Sequence, residues 1–280
     1  MFLIFKRKIS RIVFLFFNNF YEIFKFINTY LHYNNKKFYL NFFRYNDVKK
    51  LLIKDDQFYE ELKIICNFFN LREIKILLDI GANFGAWTVS AKKIFKDSKI
   101  YSFEPLNYNF KILKKNLIQY ENIKLFNFAL GNENLEKYIS FPEWETNYKR
   151  IGNTGLFSLL GGTNISKEKV ILKKFDDLEL DFKKNINNKT LVKIDVEGYE
   201  FEVLKGMSKF LKNNNLIIKL ELNNKSWKNA RIKINEFLEY VKKYNLKIFY
   251  YKKKSIYPLN DYQIKEVYKK EMDLELILSN

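Results

Sequence analysis

The residues best suited to chemistry in this sequence are acids that lie beside glycine turns. An apolar run over residues 74–80 contains Asp79 and leads into the turn 81–85, a pattern typical of a buried strand, a tight turn and a following helix. Glycines at both ends of this turn allow positive φ angles and close approach of a ligand to the backbone. Asn83 stands where a dinucleotide fingerprint has its second glycine, and no Gly-Lys-Ser/Thr follows. Neither a pyrophosphate site nor a P-loop is therefore predicted.

Glu104 ends the next apolar run, over residues 99–103. A carboxylate at this place can accept hydrogen bonds from both hydroxyls of a ribose. The pattern therefore favours a nucleoside without phosphates, such as S-adenosylmethionine. Asp79 would anchor its methionine tail or brace the turn, and the alternative for both acids is helix capping or a surface turn. Ala129 and Leu130 would flank the adenine, unless they only pack at a strand end. The predicted cofactor-binding residues are Asp79, Gly81, Asn83, Gly85, Glu104, Ala129 and Leu130.

A second acidic turn follows the apolar run 191–195. Asp195 and Glu197 flank this turn, and Gly198 allows a sharp bend. Ligands bind at the carboxyl ends of parallel strands in open α/β sheets, so both acids are expected to face a ligand. Glu200 and Glu202 lie at the start of the next helix, where acids also suit the helix dipole.

The elements that must position these acids alternate along the chain from about Leu71. Strands are predicted at 74–80, 99–103, 123–129, 191–195, 216–222, 246–251 and 274–278, with helices ending near 95 and 212 and spanning 107–119 and 232–244. This alternation predicts a doubly wound, Rossmann-like α/β fold with a parallel sheet. The irregular stretch 131–190 is interpreted as strand pairs and loops inserted on the ligand side of the sheet.

The first 33 residues differ from the rest, with eleven aromatic residues, five Lys or Arg and one acid. Apolar residues recur at helical spacing from Val13 to Leu31. The segment is too short in apolar length to span a membrane and is a poor signal peptide. Two interpretations are open: a helix packed on the domain or on a second subunit, or a helix on an anionic membrane surface. We therefore divide the chain into a helical, basic extension over 1–70 and an α/β domain over 71–280.

The composition excludes several classes of protein. With one cysteine and one histidine among 280 residues, the chain has no intramolecular disulfide, no Cys/His zinc site and no histidine-dependent hydrolase triad. A cytoplasmic setting is expected. The net charge is +18, but it comes from 44 Lys and only 6 Arg spread along the chain. Specific nucleic-acid recognition favours arginine, so a solvated surface is the preferred interpretation of the charge.

Together these motifs resemble the FkbM family of S-adenosylmethionine-dependent methyltransferases. The resemblance covers about residues 71–222 and is carried by the segments 78–85, 103–105, 129–131, 193–200 and 203–206 together with Glu221. It implies a class I methyltransferase fold and methyl transfer to hydroxyl oxygens, often of sugars or polyketides. The family often has a histidine two places after the strand-five acid, and Asn223 stands there instead.

Methyl transfer to a hydroxyl requires a group that accepts the hydroxyl proton, and a carboxylate within hydrogen-bond reach can do this. The candidates are Asp195 first, Glu197 second and Glu221 third. These three acids could instead hold a divalent cation, but no further ligand cluster is evident and no metal is predicted. Trp144 and Trp227 are expected on the exposed side and are not assigned to the site.

Three functions remain in competition. The preferred one is a sugar or small-molecule O-methyltransferase in surface-polysaccharide assembly. The second is a nucleic-acid methyltransferase, supported only by the net charge of +18. The third is a non-catalytic binding or membrane-adaptor protein on the same scaffold, against which the joint presence of Asp79, Glu104, Asp195 and Glu197 argues.

Overall fold

The computed structural model describes residues 28–33, 36–41, 52, 56–71, 73–140, 167–184, 189–212, 215–270 and 272–280. The chain divides into two compact units. The first comprises Met1–Asp55 with Trp144–Asn153, and the second Asp56–Glu143 with Thr154–Asn280.

In the first unit, the described residues form a hairpin of β1 (Asn28–Tyr33) and β2 (Lys36–Asn41). The two strands are antiparallel, with Leu31 opposite Phe38. Helical spacing had predicted a helix as far as Leu31, and the structure differs because the burial alternates: Leu31 is buried while Tyr30 and His32 on either side are exposed. The rest of that predicted helix lies outside the described residues, so both interpretations of the segment stay predictions.

The second unit contains the predicted α/β domain. In chain order its elements are α1 (Gln57–Phe68), β3 (Ile76–Ile80), α2 (Ala86–Ile94), β4 (Lys99–Phe103), α3 (Asn107–Leu117), β5 (Ile123–Phe126), β6 (Ala129–Leu130), β7 (Leu135–Ser140), β8 (Lys167–Lys173), β9 (Thr190–Ile194), α4 (Glu200–Gly206), β10 (Leu216–Leu222), α5 (Asn224–Asn229), α6 (Ile234–Lys243), β11 (Lys247–Lys252), β12 (Ser255–Leu259), α7 (Asp261–Lys269) and β13 (Leu274–Ser279).

Eight strands form the central sheet in the order β12-β11-β13-β10-β9-β3-β4-β5. The five strands from β10 to β5 are parallel, and β13 is antiparallel to both of its neighbours. This arrangement confirms the predicted doubly wound fold. The chain order reverses between β3 and β9, so the turns after these two strands open at the point where open α/β sheets bind ligands.

Helices cover both faces of the sheet. On one face, apolar side chains of β3, β9 and β10 pack with α1 and α2 through residues such as Leu62, Leu77 and Trp87. On the other face, α4, α6 and α7 cover a larger cluster that includes Leu78, Ile194 and Phe237. The compact unit starts at Asp56, and α1 belongs to its core. The division of the chain at residue 71 stays a prediction.

The insertion contains the strand pair that the sequence predicted. β7 and β8 are antiparallel, and β6 joins β8 in a separate three-stranded sheet. The predicted third strand over 123–129 is thus two strands in different sheets, separated at Asn127 and Phe128. The small sheet packs against Leu106 and Tyr199, which follow the two acidic strand ends. Within the described ranges, no helix has both the length and the apolar character that a membrane span requires.

Candidate functional site

The glycine turn after β3 is held open by left-handed backbone angles at Gly81 (φ +80), Asn83 (φ +50) and Gly85 (φ +90). A Cβ on Gly81 would lie 1.9 Å from the carbonyl oxygen of Asp195. Gly81 is therefore glycine for two reasons, its backbone angle and its contact with the turn after β9. The contact brings the two predicted acidic turns together at one edge of the sheet.

Glu104, at the end of β4, is joined to the glycine turn by hydrogen bonds. Its carboxylate accepts from the backbone N–H groups of Asn83 at 2.9 Å and Leu106 at 3.0 Å, and from Asn109 Nδ2 at 3.4 Å. Burial raises the pKa of Glu104 to about 7, although these donors act in the opposite direction. The side chain is thus placed against the glycine turn, and its role as a ribose-binding acid stays a prediction.

Asp79 is enclosed below the glycine turn and has no exposed surface. It accepts a hydrogen bond from Thr88 Oγ1 at 2.6 Å, and the Nζ atom of Lys193 lies 3.3 Å from its other oxygen. Thr88 is also 3.0 Å from the hydroxyl of Ser102. Of the two roles that the sequence left open for Asp79, this enclosure favours bracing the turn over anchoring a methionine tail.

Lys193 is a residue of the site that the sequence analysis did not assign a role. It lies on β9 with only 4% of its surface exposed. Its ammonium donates to the carbonyl oxygen of Gly81 at 2.8 Å and lies 3.2 Å from Asp195 Oδ2. A lysine within the apolar run 191–195 was the available signal, because a charged residue on a buried strand needs internal partners.

Glu200 shapes the second turn. It accepts hydrogen bonds from the backbone of Val196 at 3.0 Å and Gly198 at 3.1 Å, and Trp227 Nε1 donates to its other oxygen at 3.0 Å. Glu200 therefore does more than interact with a helix dipole. Trp227 is fully buried, so its expected exposure is wrong, because its indole N–H is needed to pair the buried Glu200 carboxylate.

The three candidate catalytic acids lie close enough to affect one another electrostatically. Partial burial would raise the pKa of Asp195, but the ammonium groups of Lys193 and Lys219 outweigh it and lower that pKa. Burial and then the Asp195 charge raise the pKa of Glu197 to about 9 and that of Glu221 to about 7. Near neutral pH, Asp195 is therefore ionised and can accept a proton, whereas Glu197 carries one and can donate a hydrogen bond.

Ala129 and Leu130 are both buried in β6. Leu130 belongs to the main core and Ala129 to the cluster beneath the insertion, so their packing role is clear and the adenine contact stays a prediction. The next residue, Gly131, lies against Gly206, where a Cβ would be 1.8 Å from the Gly131 carbonyl oxygen. This close contact explains the glycine at 206, whereas a Cβ on Gly131 would lie 2.8 Å from the ring of Tyr199 and 2.9 Å from Leu172.

Across the described part of the chain, no group of three or more His, Cys, Asp or Glu side chains is placed to hold a metal ion. The prediction that no metal takes part stays a prediction.

Comparison with known proteins identifies a family. A model described as "Methyltransferase FkbM domain" matches residues 79–248, which is more than half of the chain. A curated protein from Beauveria bassiana (strain ARSEF 2860), "Methyltransferase 1", is 25% identical over 146 residues, 47% of this chain and 57% of its own length. The chain thus spans little more than half the length of that relative.

Two solved structures are similar at low identity. The methyltransferase FkbM from Methylobacillus flagellatus KT is 14% identical, with 84% of this chain and 57% of that chain covered and a TM-score of 0.46. TYW2 from M. jannaschii, solved in complex with AdoMet, is 14% identical, with 90% and 84% covered and a TM-score of 0.44. Both TM-scores are below 0.5, so the family assignment depends on the family match.

Proposed function

Because the chain belongs to the FkbM methyltransferase family, we propose that it transfers a methyl group from S-adenosyl-L-methionine to a hydroxyl, in a sugar of a surface polysaccharide or a related metabolite. The observation that carries the proposal is the contact between the two turns. A Cβ added to Gly81 would lie 1.9 Å from the carbonyl oxygen of Asp195. A cofactor turn and an ionised carboxylate thereby share one edge of the sheet. The sugar as acceptor is supported by the family resemblance.

The residues of the first turn fit a nucleoside that lacks phosphates. Asn83 occupies the position at which a pyrophosphate-binding turn needs glycine, and Glu104 presents a carboxylate suited to a ribose diol. Glu104 Oε2 accepts one hydrogen bond, from Asn83 N–H, and a carboxylate oxygen can accept two. The chemistry of the residues present therefore matches S-adenosyl-L-methionine.

Asp195 is the group that receives the acceptor's proton in this proposal. S-adenosyl-L-methionine, when bound, would supply a methyl group on a sulfonium and would leave as the neutral thioether once the methyl–sulfur bond breaks. The hydroxyl oxygen would lose its proton to Asp195 as it gains the methyl group. Asp195 is ionised at neutral pH, and its side chain is 44% exposed, so it can reach a substrate. Glu197, with a pKa raised to about 9 by burial, would instead donate a hydrogen bond to the acceptor. Glu221 lies one strand further from the glycine turn.

Calorimetric titration with S-adenosyl-L-methionine tests the cofactor site. We expect the wild type to bind and Glu104→Gln to bind more weakly, because a hydrogen bond to a charged group contributes ~1.5–3 kcal/mol. Glu236→Gln, on the surface of α6, is the matched control and should bind like the wild type. Thermal melting of each variant separates lost binding from lost folding. No binding by the folded wild type would overturn the proposed function.

The type of bond that joins the transferred methyl group to a sugar acceptor tests the proposed transfer to a hydroxyl. The assay uses a panel of sugar acceptors. A methyl ether resists mild alkali, whereas a methyl ester is hydrolysed. We expect radiolabelled methyl groups to remain on the product after alkali treatment. Release of the label would identify a carboxylate acceptor and contradict transfer to a hydroxyl.

A further inference from the structure

Lys193 lies at the junction of the two turns and contacts both. Its Nζ atom donates to the Gly81 carbonyl oxygen at 2.8 Å, and it lies 3.3 Å from Asp79 Oδ1 and 3.2 Å from Asp195 Oδ2. The ammonium donates one hydrogen bond, to Gly81, and forms ion pairs with the two carboxylates of Asp79 and Asp195. The acceptors come from β3, from the glycine turn and from the end of β9.

The geometry of β9 explains how one side chain reaches both turns. Residues two apart on a strand point to the same face, so Lys193 and Asp195 project together toward the carboxyl edge. In the parallel register, Lys193 is opposite Asp79 on β3. Since Lys193 is 4% exposed, water does not compete for its ammonium, and the three contacts restrict one another.

Charged groups face Asp195 from every element packed around it. Lys193 on its own strand and Lys219 on β10 favour the carboxylate. Glu197 in the following turn, Glu200 at the start of α4 and Glu221 on β10 have pKa values raised chiefly by burial, and the Asp195 charge raises each of them further. Only Lys193 makes direct contact with both Asp195 and the glycine turn among the lysines that the structure describes.

We propose that Lys193 is a positioning residue, which fixes the Asp195 carboxylate relative to the Gly81 turn. The proton acceptor is thereby held at a constant position relative to the turn that binds the cofactor. This inference rests on the proposed function. It predicts that loss of the ammonium weakens cofactor binding and methyl transfer together, because the same group holds both turns.

Lys219 provides a matched control. It lies opposite Lys193 in the register of β10 and β9, is also buried, and contacts two carboxylates, Glu61 and Glu275, each at 2.9 Å. Both carboxylates lie away from the two turns, on α1 and β13. Replacing either lysine by methionine leaves one buried carboxylate (Asp79 or Glu61) and one partly exposed carboxylate (Asp195 or Glu275) without their cation, so a purely structural role predicts the same outcome for both.

The experiment compares Lys193→Met with Lys219→Met in the full-length protein. Cofactor affinity is measured by calorimetry, kcat and KM by turnover, and stability by urea unfolding. We expect Lys193→Met to lose about tenfold or more in cofactor affinity and in kcat, with the acid limb of its pH–rate profile moved to higher pH because Asp195 is easier to protonate. Lys219→Met should keep cofactor affinity and kcat at optimal pH within about twofold at a comparable loss of stability. Its acid limb should also move, since Lys219 too lowers the pKa of Asp195, so affinity and kcat are the measurements that distinguish the two variants.

Equal cofactor affinity and equal kcat in the two variants would overturn the inference while leaving the proposed function intact. If Lys193→Met does not fold, Lys193→Arg takes its place, since it keeps the charge but moves it. We then expect a lower kcat with an unchanged acid limb, and wild-type kcat and affinity in Lys193→Arg would overturn the positioning role. A wild type that binds no cofactor would instead show that the proposed function fails.

Discussion

Lys193 and Lys219 are opposite one another on neighbouring parallel strands, both buried and both between two carboxylates. Their partners differ. Lys219 joins α1 to β13, which are regular elements, whereas Lys193 joins two turns at the ligand edge. The same kind of buried ion pairing therefore stabilises the domain at Lys219 and positions the two turns of the site at Lys193.

The energetics of the two clusters follow the same physics. Burial lowers the pKa of each ammonium, but neighbouring carboxylates outweigh it, so both pKa values lie above their ordinary range. Removing one partner from a buried ion pair costs about 3–5 kcal/mol because the other charge stays buried. What differs is the observable: stability for the Lys219 cluster, and ligand binding and turnover for the Lys193 cluster.

The largest effect is expected from Asp195→Asn, which removes the proton acceptor from the Lys193 cluster. The amide is nearly isosteric but cannot take a proton, so turnover should fall by ~10²–10⁴. Cofactor affinity, measured by calorimetry, should change little by comparison.

The pH–rate profile of the wild type distinguishes Asp195 from the other acids. Because its pKa is lowered, activity should persist well below neutral pH. At saturating cofactor, a half-maximal rate near pH 7 would exclude Asp195 and favour Glu221 as the proton acceptor, because burial raises the pKa of Glu221 to about 7. Saturation is needed because the pKa of Glu104, which acts on cofactor binding, is also raised to about 7. A loss of only a few-fold in Asp195→Asn would mean that substrate positioning alone accounts for the rate.

Glu61→Gln tests the Lys219 cluster and should act on stability. It removes one of two carboxylates from a buried lysine, so the free energy of unfolding should fall by about 3 kcal/mol in urea. At temperatures well below melting, turnover should stay within about twofold of the wild type, because α1 carries no residue of the two turns. Glu60→Gln, one residue earlier and in an exposed pair with Lys63 at 3.8 Å, is the control and should cost less than about 1 kcal/mol. A large loss of turnover in Glu61→Gln would mean that the two clusters are not separate.

The effect of Glu197→Gln on stability depends on pH and is smallest near pH 5. Burial and neighbouring acids raise the pKa of folded Glu197 from 4.5 to about 9. Between these values the folded state binds more protons than the unfolded state at this residue, so its contribution to stability falls as pH rises. At pH 9, Glu197→Gln should therefore melt at a higher temperature than the wild type, by about 2–4 °C per kcal/mol. At pH 5, the variant and the wild type should melt at similar temperatures. An equal difference at both pH values would contradict the raised pKa.

Several parts of the site could be predicted from the sequence because they depend on local pattern. The glycine turn, Glu104 and the acidic turn at Asp195 each follow an apolar run that folds as a parallel strand, and the strand order brings their ends together. Lys193, Trp227 and the burial of Asp79 could not be assigned in this way. Each depends on a partner more than eight residues away: Gly81, Glu200 and Thr88, respectively.

The N-terminal part of the chain shows the same difference between what local pattern predicts and what tertiary packing decides. Helical spacing over Val13–Leu31 describes a sequence that can form a helix, but Leu31 lies in a hairpin strand because Phe38 pairs with it. Likewise, α1 is amphipathic in sequence, yet only its packing with Leu77 and Trp87 includes it in the α/β unit. Periodicity reports which face is apolar, and not what covers that face.

The sequence by itself determined the alternation of strands and helices, the glycine turn without a phosphate-binding pattern, and the acids at three strand ends. Those features are set by backbone angles and by hydrophobic periodicity over a few residues. The tertiary structure alone decided which acids are ionised, because that depends on the lysines of neighbouring strands and on burial. It also decided that Lys193 serves the site and Lys219 the scaffold, since two lysines with the same local pattern differ only in the partners that the fold places beside them.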